Sequence, residues 1–507
     1  MDVVLFFELH QPYRLKPLDP LPGSRVSSLE EAFEWELNRE VFERVAERVY
    51  VKATRILLGA LKEVESFKFT MSVSGLALEA MRRYAPQAYS LLEELAATER
   101  VEFAAQTYYH SLAWLVDRDE FVKQVVEHAR VVRELTGRRP TAAENTEFIY
   151  NNNVACTLHD MGFKVVVTEG VESLPSFIGF NHVYLARGCD ARVLVRNYRL
   201  SDDVGFRFSA RTWDQYPLTA DKYASWIEAS PGDVVFIAMD YETFGEHHWP
   251  ETGIYEFLEW LPREIARRPR LRFATVTEAA LRNRPVGVYD VPEWTAISWA
   301  DERDLSAWAG SEMQATALRW LARLYPYARA LGGSVLRYWR LLSTSDHFYY
   351  QALKTGPAGE VHNYFNPYKS PYRAHVAYMN ALALLSDKIA SEINAEPCRF
   401  LGEFRAPPEL CFYFRDPEGG YIGIRACSVQ ELEKSLAGAP RDSLEAHIER
   451  GDFERWLREV FALREPAEAL ERCGYRELSS LLRRERRSIL AERGDLMSEE
   501  RGEVLES

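Results

Sequence analysis

Val234-Val235-Phe236-Ile237-Ala238-Met239-Asp240, followed directly by Tyr241-Glu242-Thr243-Phe244-Gly245-Glu246-His247-His248-Trp249, decides how this chain is read. The first half is an unbroken apolar run of strand length, which reads as a strand buried on both faces. From Asp240 onward come three carboxylates, two imidazoles and an indole, with Gly245 to let the chain turn tightly. Packing alone explains such a cluster poorly; the plainer alternative is a solvated loop. A metal site is the rival idea, but the spacing is not HExxH and no Cys stands nearby to support zinc.

Outward from this stretch, short apolar strand candidates recur at residues 3–9, 67–74, 101–107, 141–146, 163–168, 192–197 and 271–276. Amphipathic helical patterns separate several of them, such as residues 121–135, closed by Gly137 as the residue after the helix. This βα alternation predicts parallel strands with helical crossovers. The candidates end on or near His10, Glu79, His110, Glu147, Glu169, Asp240 and Glu278. In a parallel barrel the C-terminal strand ends converge on one face, where such enzymes keep their chemistry, so a barrel is preferred to an open sheet.

From about residue 300 the pattern changes to long helices, including 311–325 and 371–394, which read as a helical bundle. After Pro397 it changes again: residues 412–414 and 421–424 flank the turn Asp416-Pro417-Glu418-Gly419-Gly420 as a hairpin, helices follow from Val429, and a charge-dense helix is expected from Arg483 onward. The expected organisation is residues 1–290, 291–395 and 396–507. The 507 residues carry a net charge of −14 and are 47% hydrophobic, enough for a sizeable core and against a largely disordered chain. The negative balance argues against a nucleic-acid partner, which needs a basic face. No apolar run of about 20 residues occurs, so no membrane partner is expected. The apolar start reads as a first strand rather than a signal peptide, and the expected location is cytoplasmic. Cys156, Cys189, Cys398, Cys411, Cys427 and Cys473 form no CxxC pair; a disulfide is compatible with the last four, whereas a cytosol would keep them reduced. Arginine outnumbers lysine, a bias that points toward a thermophile. Oligomeric state is not legible.

Three further stretches carry chemistry. His10-Gln11-Pro12-Tyr13-Arg14 ends the first strand and offers donors to ligand hydroxyls, or is simply a turn with a satisfied histidine. Glu144-Asn145-Thr146-Glu147 sets two carboxylates three residues apart, which either do work or line a helix N-terminus. Ser343-Thr344-Ser345-Asp346-His347-Phe348-Tyr349-Tyr350 couples an Asp-His pair to aromatic rings, as a sugar subsite would, or as a helix with an aromatic core side.

His10-Gln11-Pro12, Ser74-Gly75-Leu76-Ala77-Leu78-Glu79, Glu144-Asn145-Thr146-Glu147, Met239 through His247 and Ser345-Asp346-His347-Phe348 together resemble the five ordered signatures of glycoside hydrolase family 57, in its α-amylase-type branch. The resemblance spans about residues 1–390 and also takes in Tyr364-Phe365-Asn366-Pro367-Tyr368. It implies a distorted (β/α)7 barrel followed by a helical bundle, with a small α+β C-terminal module beyond. It also implies retaining hydrolysis of α-1,4-glucans or malto-oligosaccharides without a metal or other cofactor. Carried over by position, Glu147 is the nucleophile and Asp240 the general acid/base, while His10, Glu79, Glu242 and Asp346 line the −1 subsite. The residue patterns add Gln11, His110, Glu144, His247, Trp249, His347 and Tyr349 as substrate-binding candidates. Some relatives place Trp where this chain has Glu144 and His247, which bears on the balance between hydrolysis and glucan transfer. Arg425-Ala426-Cys427-Ser428 and His447 through Trp456 resemble a small archaeal module of unknown role.

Retention needs two carboxyl groups about 5–5.5 Å apart, one ionised and one protonated. Asp240, leaving an apolar strand beside a carboxylate, is expected to hold its proton near neutrality. His247 and His248 are candidates to stabilise an ionised Glu147, or are structural. The alternatives are a 4-α-glucanotransferase on the same site, a catalytically silent glucan-binding or regulatory protein, and a metal-dependent glycosidase or deacetylase. Glucan-cleaving activity is expected to survive EDTA unchanged; loss on chelation, restored by a divalent metal, would select the metal-dependent alternative.

Overall fold

The computed structural model describes residues 1–17, 28–300 and 302–487. It divides into two compact units, residues 1–318 with 340–379, and residues 319–339 with 380 onward. Every candidate site residue belongs to the first.

The first unit contains β1 (Asp2–Leu9), β2 (Phe69–Val73), β3 (Val101–Phe103), β4 (Ala142–Ala143), β5 (Val165–Glu169), β6 (Val183–Ala186), β7 (Arg192–Arg196), β8 (Val234–Asp240), β9 (Arg272–Phe273) and β10 (Pro285–Tyr289). One sheet runs β3-β2-β1-β8 with β9 also paired to β1, and the other runs β10-β6-β7-β5-β4. All pairings are parallel except β6 with β7. The sheets meet twice: Ala105 bridges Ala143 just beyond β3, and the Asn197 N–H donates to the Phe236 carbonyl at 2.8 Å just beyond β7.

β1 is buried at every position and β8 at every position but Asp240, as parallel strands covered on both sides must be. Alternation then sorts side chains by parity. Val4 and Phe6 of β1, Val165 and Val167 of β5, Leu194 of β7, and Val234, Phe236 and Ala238 of β8 share one core with Phe148. Val166, Val193 and Val195 face the opposite way into a second core with Val154, Leu158 and Phe163. Phe6 meets the rings of Phe148 and Phe236 edge-on, centroids 5.7 and 5.8 Å away.

The expected strands are present, with β4 and β9 reduced to two residues each. The expectation of uniform parallel alternation missed β6 and β10. The first is a four-residue strand antiparallel to β7, too short to stand out, and the second exposes its apolar residues Val286 and Val288. The helix expected at 121–135 spans Arg118–Thr136, and Gly137 closes it at φ 72°. Glu278 does not join the converging strand ends. It completes a capping box with Thr275 and pairs with Lys68, the residue before β2, 2.5 Å away.

In the second unit, β11 (Phe412–Arg415) and β12 (Tyr421–Ala426) form the expected antiparallel hairpin. Phe412 stacks on Phe453 at 4.8 Å and meets Trp456 edge-on at 5.6 Å. Helices follow at Val429–Leu436, Arg441–Arg450, Asp452–Glu459 and Pro466–Arg472. The long helices expected at 311–325 and 371–394 span Glu312–Leu331 and Pro371–Ala395. The charged tail lies, from residue 488, outside the described residues. All six cysteines are paired, as Cys156–Cys189, Cys398–Cys473 and Cys411–Cys427. The disulfide left open for the last four cysteines is thus present twice, and Cys156–Cys189 adds a third. No described helix is long and apolar enough to cross a membrane.

Phe6→Ala removes the ring that joins β1 to Phe148 and Phe236, and is expected to cost about 3–5 kcal/mol by urea denaturation. A loss below about 1 kcal/mol would mean this core repacks around the gap.

Candidate active site

The parity that fills the core with Val4 and Phe6 brings Glu8 and His10 to the same face as β1 ends. On β8 the same alternation runs Val234, Phe236, Ala238, Asp240, and the β1–β8 register sets Glu8 directly opposite Asp240. Gln106 follows Ala104 by the same rule, and Arg196 follows Leu194. The strand ends therefore deliver Glu8, His10, Gln106, Arg196 and Asp240 to one region.

Glu147 arrives differently. After β4 the chain turns, with Glu147 at φ 61°, ψ 24° and Phe148 at φ 52°. Left-handed backbone at two successive non-glycine residues costs about 1–3 kcal/mol each. The buried Phe148 ring offsets this by packing on Phe6, Phe236 and Trp299. Both carboxylate oxygens of Glu147 are engaged. The Trp299 indole N–H donates to Oε2 at 2.7 Å, the Ser345 hydroxyl to Oε1 at 2.8 Å, and His110 Nε2 stands 3.4 Å from Oε1. The Trp299 backbone N–H also donates to the Glu147 carbonyl, 3.2 Å.

His10 and His110 stack, with centroids 4.1 Å apart. The Ser74 hydroxyl accepts from Ala77 N–H, as the cap of helix Gly75–Tyr84, and lies 2.8 Å from His10 Nδ1. The Asp346 carboxylate can only accept, so His10 Nε2–H donates to its Oδ2 at 3.1 Å, and Nδ1 of the neutral ring accepts from the Ser74 hydroxyl. Burial, then the neighbouring His110, push His10 down to about 4, so this ring is neutral near pH 7. Burial alone would raise Asp346, but the His10 hydrogen bond and the surrounding imidazoles hold it below the usual carboxylate range.

The other acids are held the opposite way. Burial, then the charge of Glu147, push Asp240 up to about 7, against a smaller pull from Arg196 and His110. Arg196 donates to the Ala238 carbonyl at 2.8 Å and pairs with Glu169 and Asp202 at 2.9 and 2.6 Å. Burial pushes Glu144 and Glu242 up to about 8 each, and Glu8 well above the usual range with Glu144 as its second cause.

Glu242 accepts from the Tyr50 hydroxyl and from Gln11, whose side-chain oxygen accepts from Arg14 at 3.2 Å. Tyr50 sits in a π-helical turn, Ala46–Val51, within the run from Trp35 to Glu63; such turns recur at functional sites because they re-aim a side chain. Glu246 pairs with Arg44 and Arg48 of the same region, 3.0 and 3.5 Å. Gly245 has φ 125°, and a Cβ there would lie 2.5 Å from the Tyr255 hydroxyl oxygen, so only glycine fits this turn.

The remaining candidates are dispersed. Glu79 accepts from Tyr108 at 2.8 Å, and its charge is felt by Tyr108 and Glu127. His347 faces the Leu341 carbonyl at 3.2 Å and packs on Tyr378. Tyr349 stacks on His362 at 3.7 Å, His247 meets Phe365 edge-on at 5.2 Å, and Trp249 is 63% exposed. His248 is structural, held by Ser209 and the carbonyls of Val204 and Gly205 at 2.8–3.1 Å. The imidazole brought to Glu147 is His110. Among the described residues, no trio of His, Cys, Asp or Glu is placed to hold a metal ion.

Glu8, Gln106, Trp299 and Ser345 were not picked out as site residues by sequence reasoning. For Glu8 a signal existed: it is the only acid inside an otherwise apolar stretch from Val3 to Leu9, and it shares parity with His10. For Trp299, 152 positions from Glu147, there was none.

A strand-end site with one carboxylate held by neutral donors and a second holding its proton near neutrality is the equipment of an enzyme that works on glycosidic bonds. The sequence profile described as Glycosyl hydrolase family 57 matches residues 4–292. A protein of Methanocaldococcus jannaschii, provisionally named an alpha-amylase, is 40% identical over 393 residues, covering 75% of this chain and 83% of its own. Two solved structures share the fold. They are a GH57-type branching enzyme from Pyrococcus horikoshii (TM-score 0.54, 15% identity, 78% of this chain and 94% of that one) and the alpha-amylase AmyC from Thermotoga maritima (TM-score 0.51, 13% identity, 78% and 95%). The chain belongs to glycosyl hydrolase family 57.

Carboxyls that titrate near 4 when unfolded but near 7–8 when folded make the native state bind more protons across that window, so stability falls as pH rises from about 4 to about 8. Glu144→Gln removes one such group. Between pH 5 and pH 9 it is expected to lose less stability than wild type by roughly 2–5 kcal/mol in parallel urea titrations. Equal losses would mean that Glu144 is already ionised in the fold.

Proposed function

We propose that this chain is a retaining enzyme acting on α-1,4-glucans, cleaving them as an α-amylase does. The observation that carries the reading is the unequal treatment of two carboxyl groups. Glu147 receives a donor on each oxygen, which favours a carboxylate. Asp240, at the end of an apolar strand, keeps a proton up to about pH 7 and is electrostatically coupled to Glu147. The relative at 40% identity, by its name, supports the substrate class.

In the first step Asp240 gives its proton to the glycosidic oxygen while a Glu147 oxygen attacks the anomeric carbon; the C–O bond to the leaving chain breaks and a glycosyl ester forms. In the second, the Asp240 carboxylate takes a proton from water, the water oxygen attacks the same carbon, and Glu147 leaves as a carboxylate. His10, Gln11, Glu242 and Asp346 are the groups assigned to the sugar hydroxyls. Neither step calls for a metal or organic cofactor. The fold reading that accompanies this is a distorted (β/α)7 barrel. It is supported by the links from Ala105 to Ala143 and from Asn197 to Phe236, through which β1, β2, β3, β4, β5, β7 and β8 follow one another in a cycle.

Incubation with maltoheptaose, beside Glu147→Gln and Asp240→Asn, is expected to yield shorter sugars with new reducing ends of α configuration, and both variants are expected to lose at least about a thousandfold in rate. Longer oligosaccharides at a constant number of reducing ends would identify a 4-α-glucanotransferase. No change in any sample would identify a glucan-binding protein. β-Configured product would overturn the retaining mechanism.

A further inference from the structure

Glu8 is a buried acid that the two-carboxylate chemistry does not use. Neither of its oxygens has a hydrogen-bond partner, and the residue is 2% exposed, so substrate does not reach it. A buried polar group left in this state calls for an explanation. It lies opposite Asp240 and Ser72 across the two strands flanking β1. Its Oε1 stands 3.3 Å from His110 Nδ1. The acids around it are Glu144, Glu147, Asp240 and Glu242.

His110 is itself unusual. Its backbone takes φ 47°, a costly conformation for a non-glycine residue, and its carbonyl accepts from Ser345 N–H at 2.9 Å. This contact ties it to the loop whose hydroxyl binds Glu147. Gln106 decides what the Nδ1 edge does. The Gln106 amide nitrogen donates to Ser72 Oγ at 2.8 Å and faces Glu144 Oε1 at 3.5 Å, which turns its oxygen toward His110 Nδ1 at 2.9 Å. Gln106 is anchored in turn by its backbone N–H on His128 Nδ1, 3.1 Å, while His128 Nε2–H donates to Val73 O at 2.7 Å. Nδ1 therefore carries a hydrogen, directed between Gln106 Oε1 and Glu8 Oε1. The opposite edge, Nε2, points at Glu147 Oε1 from 3.4 Å. A bare lone pair there would repel the carboxylate, whereas a hydrogen there would bind it. Glu8, pushed by burial toward its protonated form, faces the Nδ1 edge as a neutral carboxyl.

We propose that Glu8 is a positioning residue for the nucleophile: together with Gln106 it holds the Nδ1–H edge of His110, so that Nε2 presents a hydrogen to Glu147. His10 serves the same end from the ring's face. It is stacked 4.1 Å away and committed through Ser74 and Asp346, so it does not compete for Glu147. Glu147 thus has Trp299 and Ser345 as donors and His110 as a third, drawn from three parts of the chain, and Glu8 governs the orientation of the third. This rests on Glu147 as nucleophile, so its test needs a readout independent of turnover.

The test compares wild type with Glu8→Leu and Glu8→Gln, using maltoheptaose kinetics, thermal melts and ¹⁵N spectra of the His110 ring assigned with a His110→Asn control. Glu8→Leu is expected to lose roughly tenfold in kcat with KM within about twofold and an unchanged melting temperature, the scale of one misplaced hydrogen bond. The acid limb of its kcat/KM profile is expected to move, and its Nε2 signal to shift toward the unprotonated form. Glu8→Gln, which keeps an acceptor oxygen, is expected to recover most of the rate. Unchanged kcat and unchanged His110 signals in Glu8→Leu would overturn the proposal. So would a Glu8→Gln protein that loses melting temperature as much as Glu8→Leu while its His110 signals stay native, since Glu8 would then act through folding alone. If wild type acts on no glucan, the ring spectra decide alone: a shifted Nε2 signal supports the proposal, and a native one overturns it.

Discussion

Everything at the site depends on one register, that of β1 against β8. Phe6 opposite Ala238 and Glu8 opposite Asp240 means that two apolar, doubly buried strands run out together and hand their last inward positions to acids. A shift of one residue would turn Val4, Phe6, Phe236 and Ala238 out of the core, so hydrophobic burial locks the register. The same lock fixes where Asp240 and Glu8 stand. The energy that holds the strands also desolvates the carboxyls, and desolvation is the first cause of their raised proton affinity.

Burial alone would make every acid here behave alike, yet they differ. The difference comes from donors. Glu147 has Trp299 and Ser345, and Asp346 has the Nε2–H of a neutral His10. Asp240 meets mainly burial and the negative charge of Glu147. Asp346 and Asp240 are thus driven in opposite directions by which polar hydrogens reach them. Those hydrogens are supplied from outside the strands, by the loop after β10 and by the turn leading into helix Ser345–Tyr349, so the environment of Glu147 is assembled only when distant segments close on it.

Much of this was legible in the residues. The apolar run ending at Asp240, the hydrogen-bonding potential of His10 and the pair Glu144/Glu147 all mark themselves by chemistry out of place in a strand or at its end. Asp346 was legible as part of an Asp-His pair among aromatics. What misled was proximity in sequence. His247 and His248 lie close to Asp240 along the chain, yet His248 is spent on backbone carbonyls and His247 on Phe365, while the imidazole at Glu147 comes from His110. His347 sits next to Asp346 but faces Leu341, because successive residues on a helix point in different directions.

The sequence by itself determined the βα alternation of the first unit, the placement of acids at strand ends and the family, because two-sided burial and period-two parity leave direct traces in residue order. It did not determine which side chains meet. Trp299 and Ser345 reach Glu147 across 152 and 198 residues, and Gln106 orients His110 only once β2, β3 and β4 lie side by side. Such contacts depend on register, on left-handed backbone at His110 and Glu147, and on loop closure. These are settled by the free energy of the whole packed unit and have no local pattern along the chain.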